Sequence, residues 1–185
     1  MKREEAEHNV SRILEYIGED VNREGLLDTP KRVVKAFDEW FGGYKVDPHE
    51  LLRTTFEEVE NYDEIVILRN IKFFSHCEHH MTPIIGTASV GYLPDRKVVG
   101  ISKLARVVEA YSRRLQIQEV MTRQIAQTIQ DVLEPRGVAV VVNAKHLCIG
   151  SRGVGKPDSD MVTSTMLGAF MKFETRAEFM SLLKL

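Results

Sequence analysis

The apolar residues of this chain change their spacing near Glu64, and that change constrains the fold more than any other feature. Before it they recur at helical intervals, and after it they begin to alternate. Val10, Ile13, Leu14 and Ile17 share one helical face that stops at Gly18. Val33, Val34, Phe37, Trp40 and Phe41 form the face of a second helix, which Thr29 can cap, Pro30 can open and Gly42-Gly43 stops. Two helices with bare apolar faces need a packing partner.

Beyond Glu64 the pattern predicts strands. Ile65, Ile67, Ile71 and Phe73 fit one, with an irregularity at Arg69-Asn70, and residues 86–93 fit the next, ended by a turn at Pro94-Asp95. A short strand over 98–101 leads to Ser102, read as the cap of a helix carrying Leu104, Val107, Val108, Tyr111 and Leu115. Another helix turns Met121, Ile125, Ile129, Val132 and Leu133 inward until Pro135 and Gly137 end it. Residues 138–142 read as a strand, 145–150 as its extended continuation, and 161–173 as a long further strand. Thr175 with Glu178 forms a capping box for a closing helix with Phe179, Leu182 and Leu183. This order predicts an α+β fold, a largely antiparallel sheet with helices on one face. One domain is expected over 1–185, with a helical part at 1–60 and a sheet-bearing part at 61–185.

With 185 residues, 43% of them hydrophobic, the chain can bury a core of its own. Its 25 basic and 27 acidic residues leave a net charge of −2, so no global field draws it to nucleic acid or to an anionic membrane. An anionic ligand must therefore meet a local basic cluster. Residues 1–5 lack the apolar core of a signal peptide and no run of 18 apolar residues follows, so a cytoplasmic protein is expected. In that compartment Cys77 and Cys148 read as thiols or metal ligands rather than a disulfide.

Four of the six histidines and both cysteines fall within 75–80 and 146–148. Cys77-x-x-His80 has metal-ligand spacing, because two intervening residues let a thiolate and an imidazole reach one ion from a tight loop. His146 and Cys148 share a face if their segment is a strand. Two arrangements are open. In one, Cys77, His80 and Cys148 hold zinc and leave a fourth position to water; in the other, His146 closes the site as a structural staple. The chain's length, and the unused His76 and His79 beside the ligands, favour the first.

Basic residues gather elsewhere. Ser102-Lys103 and Arg106 crowd the start of one helix, where backbone N–H groups and the dipole already favour an anion. Arg152 follows Cys148 by four residues, and Lys31 and Arg32 occupy the first turn of the second helix, the unfavourable end for a cation. Any one of these can be an ordinary solvated charge, but together they suit a polyphosphate. Glu119, beside Gln118 at a helix start, is either a first-turn carboxylate or an acceptor for two hydrogen bonds from a guanine edge. Residues 153–157 look like a fragment of a phosphate-binding loop but lack its spacing, and His8 and His49 read as surface residues.

Cys77-Glu78-His79-His80, Gly100-Ile101-Ser102-Lys103-Leu104-Ala105-Arg106, Gln116-Ile117-Gln118-Glu119, His146-Leu147-Cys148 with Arg152-Gly153-Val154, and Asp28-Thr29-Pro30-Lys31-Arg32-Val33 together resemble the GTP cyclohydrolase I family over nearly the whole chain. The resemblance implies the tunnelling fold, in which antiparallel sheets of several subunits close a barrel, with an N-terminal helical extension and a toroidal homodecamer. It implies Cys77, His80 and Cys148 as ligands of Zn2+ and moves His146 from ligand to catalyst. GTP and water would become dihydroneopterin triphosphate and formate, with water activated at the metal attacking guanine C8 and His79 protonating N7. His146 would move protons in later steps, and Ser102 would assist the sugar rearrangement. Glu119 with Gln118 would anchor guanine, while Lys103, Arg106, Arg152 and Arg32 bind phosphates. His76 and Gly150-Ser151 depart from the commoner family residues. Two other readings stand beside this one: a different tunnelling-fold enzyme of pterins or purines, and a zinc-stabilised nucleotide-binding or scaffold protein.

Overall fold

The computed structural model describes residues 1–56 and 62–184, which fall into two units, Met1–Gly42 and Gly43–Leu185. The boundary expected between residues 60 and 61 lies outside the described residues. In the first unit, α1 (Arg3–Tyr16) packs on α2 (Thr29–Trp40), and Arg3 Nη1 donates to Asp38 Oδ2 at 3.0 Å. The chain leaves α1 through Gly18 at φ +91°, a conformation an L side chain resists. Asp28, not Thr29, is the residue before α2; Thr29 and Pro30 are its first two helical residues, where the N–H that proline lacks has no intrahelical acceptor anyway.

In the second unit, α3 (Pro48–Leu52) precedes a two-residue strand β1 (Thr55–Phe56), which pairs antiparallel with β4 (Val98–Val99). The main sheet contains β2 (Val66–Cys77), β3 (Pro83–Leu93), β5 (Leu115–Gln116), β6 (Gly137–His146) and β7 (Met161–Gly168). Its order is β5-β2-β3-β6-β7, antiparallel throughout except for the β2–β5 pair. The irregularity expected at Arg69-Asn70 is a bulge: the β2–β3 register shifts between Leu68 and Ile71, with Asn70 at φ +56°.

Period-two alternation divides the sheet into two faces. Ala88, Val90 and Tyr92 of β3 and Val138, Val140 and Val142 of β6 join one core with α4 (Ile101–Ser112) and α5 (Gln118–Leu133). Leu104, Val107, Met121, Ile125 and Ile129 are fully buried there, each stabilising the fold by about 1.5–3 kcal/mol. The opposite face carries a smaller core of Leu93, Ala139, Phe170 and Phe179. Phe179 belongs to α7 (Phe173–Leu182), and its ring fills the space over Gly91, where an added Cβ would lie 2.6 Å from it. The α+β class holds, and α4 and α5 share a face as expected; the closing helix covers the other one.

Several local expectations are corrected. The helix expected to be capped by Ser102 starts at Ile101 after Gly100, so Ser102 is exposed within its first turn. Leu115 is not on that helix. The chain leaves it at Arg113, Arg114 Nε donates to the carbonyls of Gly43 and Ala110, and Leu115 enters the sheet beside His76. Residues 145–150 are not one extended run, because β6 ends at His146 and Leu147–Gly150 winds into a short helix, α6. The strand expected over 161–173 stops at Gly168, whose φ is +56° and where a Cβ would meet the Arg136 carbonyl at 2.3 Å. A turn over Ala169–Met171 follows and α7 begins at Phe173, so Thr175 lies inside the helix and caps nothing.

Candidate metal centre and its surroundings

Cys77 ends β2 and is held from both edges. Its N–H donates to Thr82 O at 2.8 Å on the β3 side, while Glu78 N–H donates to Gln116 O at 3.2 Å on the β5 side. The chain then reverses tightly: Met81 N–H donates to Cys77 O at 2.7 Å, with Met81 at φ +54°. This reversal brings His80 Nδ1 to 3.7 Å from Cys77 Sγ. Cys148 arrives from the far side of the sequence on α6. Among the described residues, the donor atoms of Cys77, His80 and Cys148 all lie within 4.8 Å of one another. Both thiols are buried and free of any disulfide, and His80 is exposed.

The electrostatics suit a cation. Burial pushes the Cys148 thiol above its usual range, and the facing Cys77 adds to this. A positive ion between two such thiols reverses that penalty, since coordination deprotonates them outright. Two sulfurs and one imidazole are soft donors that suit transition metals rather than calcium or magnesium. The donor set therefore fits a metal ion, and three protein ligands are the pattern of catalytic rather than closed structural centres.

His146 stands two residues from Cys148 yet faces elsewhere. Its Nε2 lies 2.7 Å from Gln118 Oε1, and burial lowers its pKa while the Glu119 charge opposes that shift. The corner from β6 into α6 separates the two side chains, which a continuous strand would have kept on one face. His79 is exposed, with Nδ1 3.9 Å from Cys77 Sγ and Nε2 3.7 Å from Glu78 Oε1. Arg152, on the exposed segment after α6, places Nη1 3.0 Å from His80 Nε2.

Gln118 opens α5 and is 1% exposed, whereas Glu119 next to it is exposed. Ser102, Lys103 and Arg106 lie together on the first two turns of α4, Lys103 half-buried and the others exposed. Arg32 belongs to the other unit, where Nη2 donates at 3.3 Å to Oδ2 of Asp28, the residue just before α2. Asp28 thus offsets the cation at that helix start.

One contributor escaped sequence reasoning. Gln116 holds the Cys77 end of β2 through its backbone, and the signal for it was present: Leu115-Gln116-Ile117-Gln118 alternates apolar and polar.

Two thiols and an imidazole on an α+β scaffold, with further imidazoles and an arginine beside them, form a group positioned to bind a metal. A family model described as GTP cyclohydrolase I matches residues 6–184. Proteins named GTP cyclohydrolase 1 from Brucella suis, Brucella abortus and Brucella melitensis are each 54% identical over 181 residues, covering 97% of this chain and 85% of theirs. A crystal structure of the archaeosine synthase QueF-Like in the apo form is similar over 57% of this chain and 94% of that one, at 20% identity and a TM-score of 0.48. The chain belongs to the GTP cyclohydrolase I family, with that family's tunnelling fold, and its function is that of a GTP cyclohydrolase I. None of the helices among the described residues is long and apolar enough to cross a membrane.

Proposed function

We propose that Cys77, His80 and Cys148 hold zinc and that this centre opens the guanine imidazole ring of GTP, releasing formate and leading to 7,8-dihydroneopterin triphosphate, the first step of folate and pterin biosynthesis. The observation that carries the reading is the three-donor cluster with His146 excluded from it and His79 beside it. When bound, zinc supplies a Lewis acid that activates water for hydrolysis at guanine C8.

The chain's own groups do the rest. His79 is open to solvent next to Cys77, which suits a general acid for guanine N7. His146 moves protons in the later steps, and Ser102 assists rearrangement of the sugar. Glu119 accepts hydrogen bonds from guanine N1–H and the exocyclic amine, a pairing adenine cannot make. Lys103, Arg106, Arg152 and Arg32 bind the triphosphate; the contact between Arg152 and His80 supports a phosphate-binding cation at the metal's edge. We place the protein in the cytoplasm as a toroidal homodecamer, whose barrel closes between subunits and whose pockets lie at their junctions.

The deciding experiment incubates the protein with GTP or ATP and measures formate and pterin fluorescence. Both products from GTP and neither from ATP are expected. A pterin or purine product without formate would favour another tunnelling-fold enzyme, and GTP binding with no product a nucleotide-binding protein. The shared pocket has its own test: Arg32→Ala and Cys148→Ala, each nearly inactive alone, should regain part of the activity when unfolded and refolded together. Mixed assemblies as inactive as either parent would exclude a neighbour's Arg32.

A further inference from the structure

Gln118 makes more hydrogen bonds than a side chain reading substrate could spare. Its Nε2 lies 3.2 Å from Val142 O, 2.9 Å from Met161 O and 3.1 Å from Thr163 Oγ1. Two of these partners are backbone carbonyls, which only accept, so the amide NH2 must face them and Oε1 must face His146. The hydroxyls around it agree. Thr122 Oγ1 donates to Gln118 O at 2.7 Å, so in the 2.7 Å Thr122–Thr163 contact Thr163 is the donor, and its oxygen is free to share one of the two amide hydrogens with a neighbouring carbonyl. Gln118 is thereby tied to the first turn of its own helix and to β6 and β7, with 1% of its surface exposed. Its remaining group, Oε1, meets His146 Nε2 at 2.7 Å, and since an amide oxygen can only accept, Nε2 carries the hydrogen.

We propose that Gln118 is a positioning residue that orients His146 by accepting from its Nε2–H, rather than a reader of the guanine ring. The bond persists whether the imidazole is neutral or protonated, because Nε2 donates in both forms. Gln118 thereby engages Nε2 and leaves Nδ1 as the other ring nitrogen. An acceptor behind a catalytic histidine fixes its tautomer and direction in just this way in hydrolytic triads; here a neutral amide does so without adding a charge to the buried site. Glu119, exposed on the next position of α5, is left to meet guanine alone. The inference rests on the proposed role of His146 in proton transfer.

The test uses the metal-loaded protein with 15N-labelled histidine. In the neutral ring, His146 of the parent should carry its proton on Nε2, and Gln118→Met should show a mixture of the two tautomers. Kinetically, Gln118→Met should lower kcat by roughly tenfold to a hundredfold with KM within about twofold of the parent, the mark of a weakened proton-transfer group rather than of lost binding. A parent His146 protonated on Nδ1 overturns the proposal, and so does a variant whose loss lies in KM alone. If Gln118→Met does not fold, the parent spectrum still decides. An inactive parent would sink the proposed reaction while leaving the ring-nitrogen measurement to judge the Gln118–His146 bond.

Discussion

The two segments that deliver the metal donors are built by different rules. The turn after β2 is local: Cys77 and His80 are three residues apart, and backbone hydrogen bonds within 77–82 close the reversal that brings them together. The corner after β6 is not. His146 and Cys148 are closer still in sequence, yet the change from strand to helix sends one toward Gln118 and the other toward Cys77 and His80. Spacing alone therefore tells whether two side chains can reach one ion within a turn. It does not tell where they point across a change of secondary structure.

That contrast can be broken at several points. The largest effect is expected from Cys148→Ala, which should lose bound metal after dialysis and lose activity by ~10³-fold or more, the rate equivalent of about 4 kcal/mol of Lewis-acid stabilisation. Its far-UV circular dichroism should stay close to the parent's, because the cores on both sheet faces are built mostly from apolar side chains other than the metal donors; wholesale unfolding would make the centre structural. His146→Ala should behave differently from its neighbour. Metal content by atomic absorption should match the parent, while turnover falls by about 10²–10⁴-fold, the range of a lost proton-transfer group. Metal lost as in Cys148→Ala would restore the closed four-ligand site and erase the distinction between the two residues.

The smallest effect concerns the turn itself. Met81 is left-handed at φ +54° with its side chain exposed, so glycine relieves strain there at little cost in packing. Met81→Gly should raise stability to urea by up to about 1 kcal/mol, strain relief being partly offset by the greater freedom of glycine in the unfolded chain. Metal content should not change. A marked loss of stability would mean that the reversal depends on contacts of the Met81 side chain.

What the sequence determined by itself is whatever a few neighbouring residues control. Helical spacing placed α1, α2, α4 and α5, because an amphipathic stripe is a property of one segment. The bulge at Asn70 and the Cys77–His80 turn were readable for the same reason, as was the family, whose motifs lie in order along the chain. The tertiary structure decided the rest. Leu115 pairs beside His76 instead of continuing α4, at an edge that exists only once β2 is in place. Gly168 ends β7 because the Arg136 carbonyl occupies the space a side chain would need. Gln118 faces inward because β6 and β7 present carbonyls to its amide. Each of these outcomes depends on atoms supplied by segments distant in sequence, and local propensity carries no information about them.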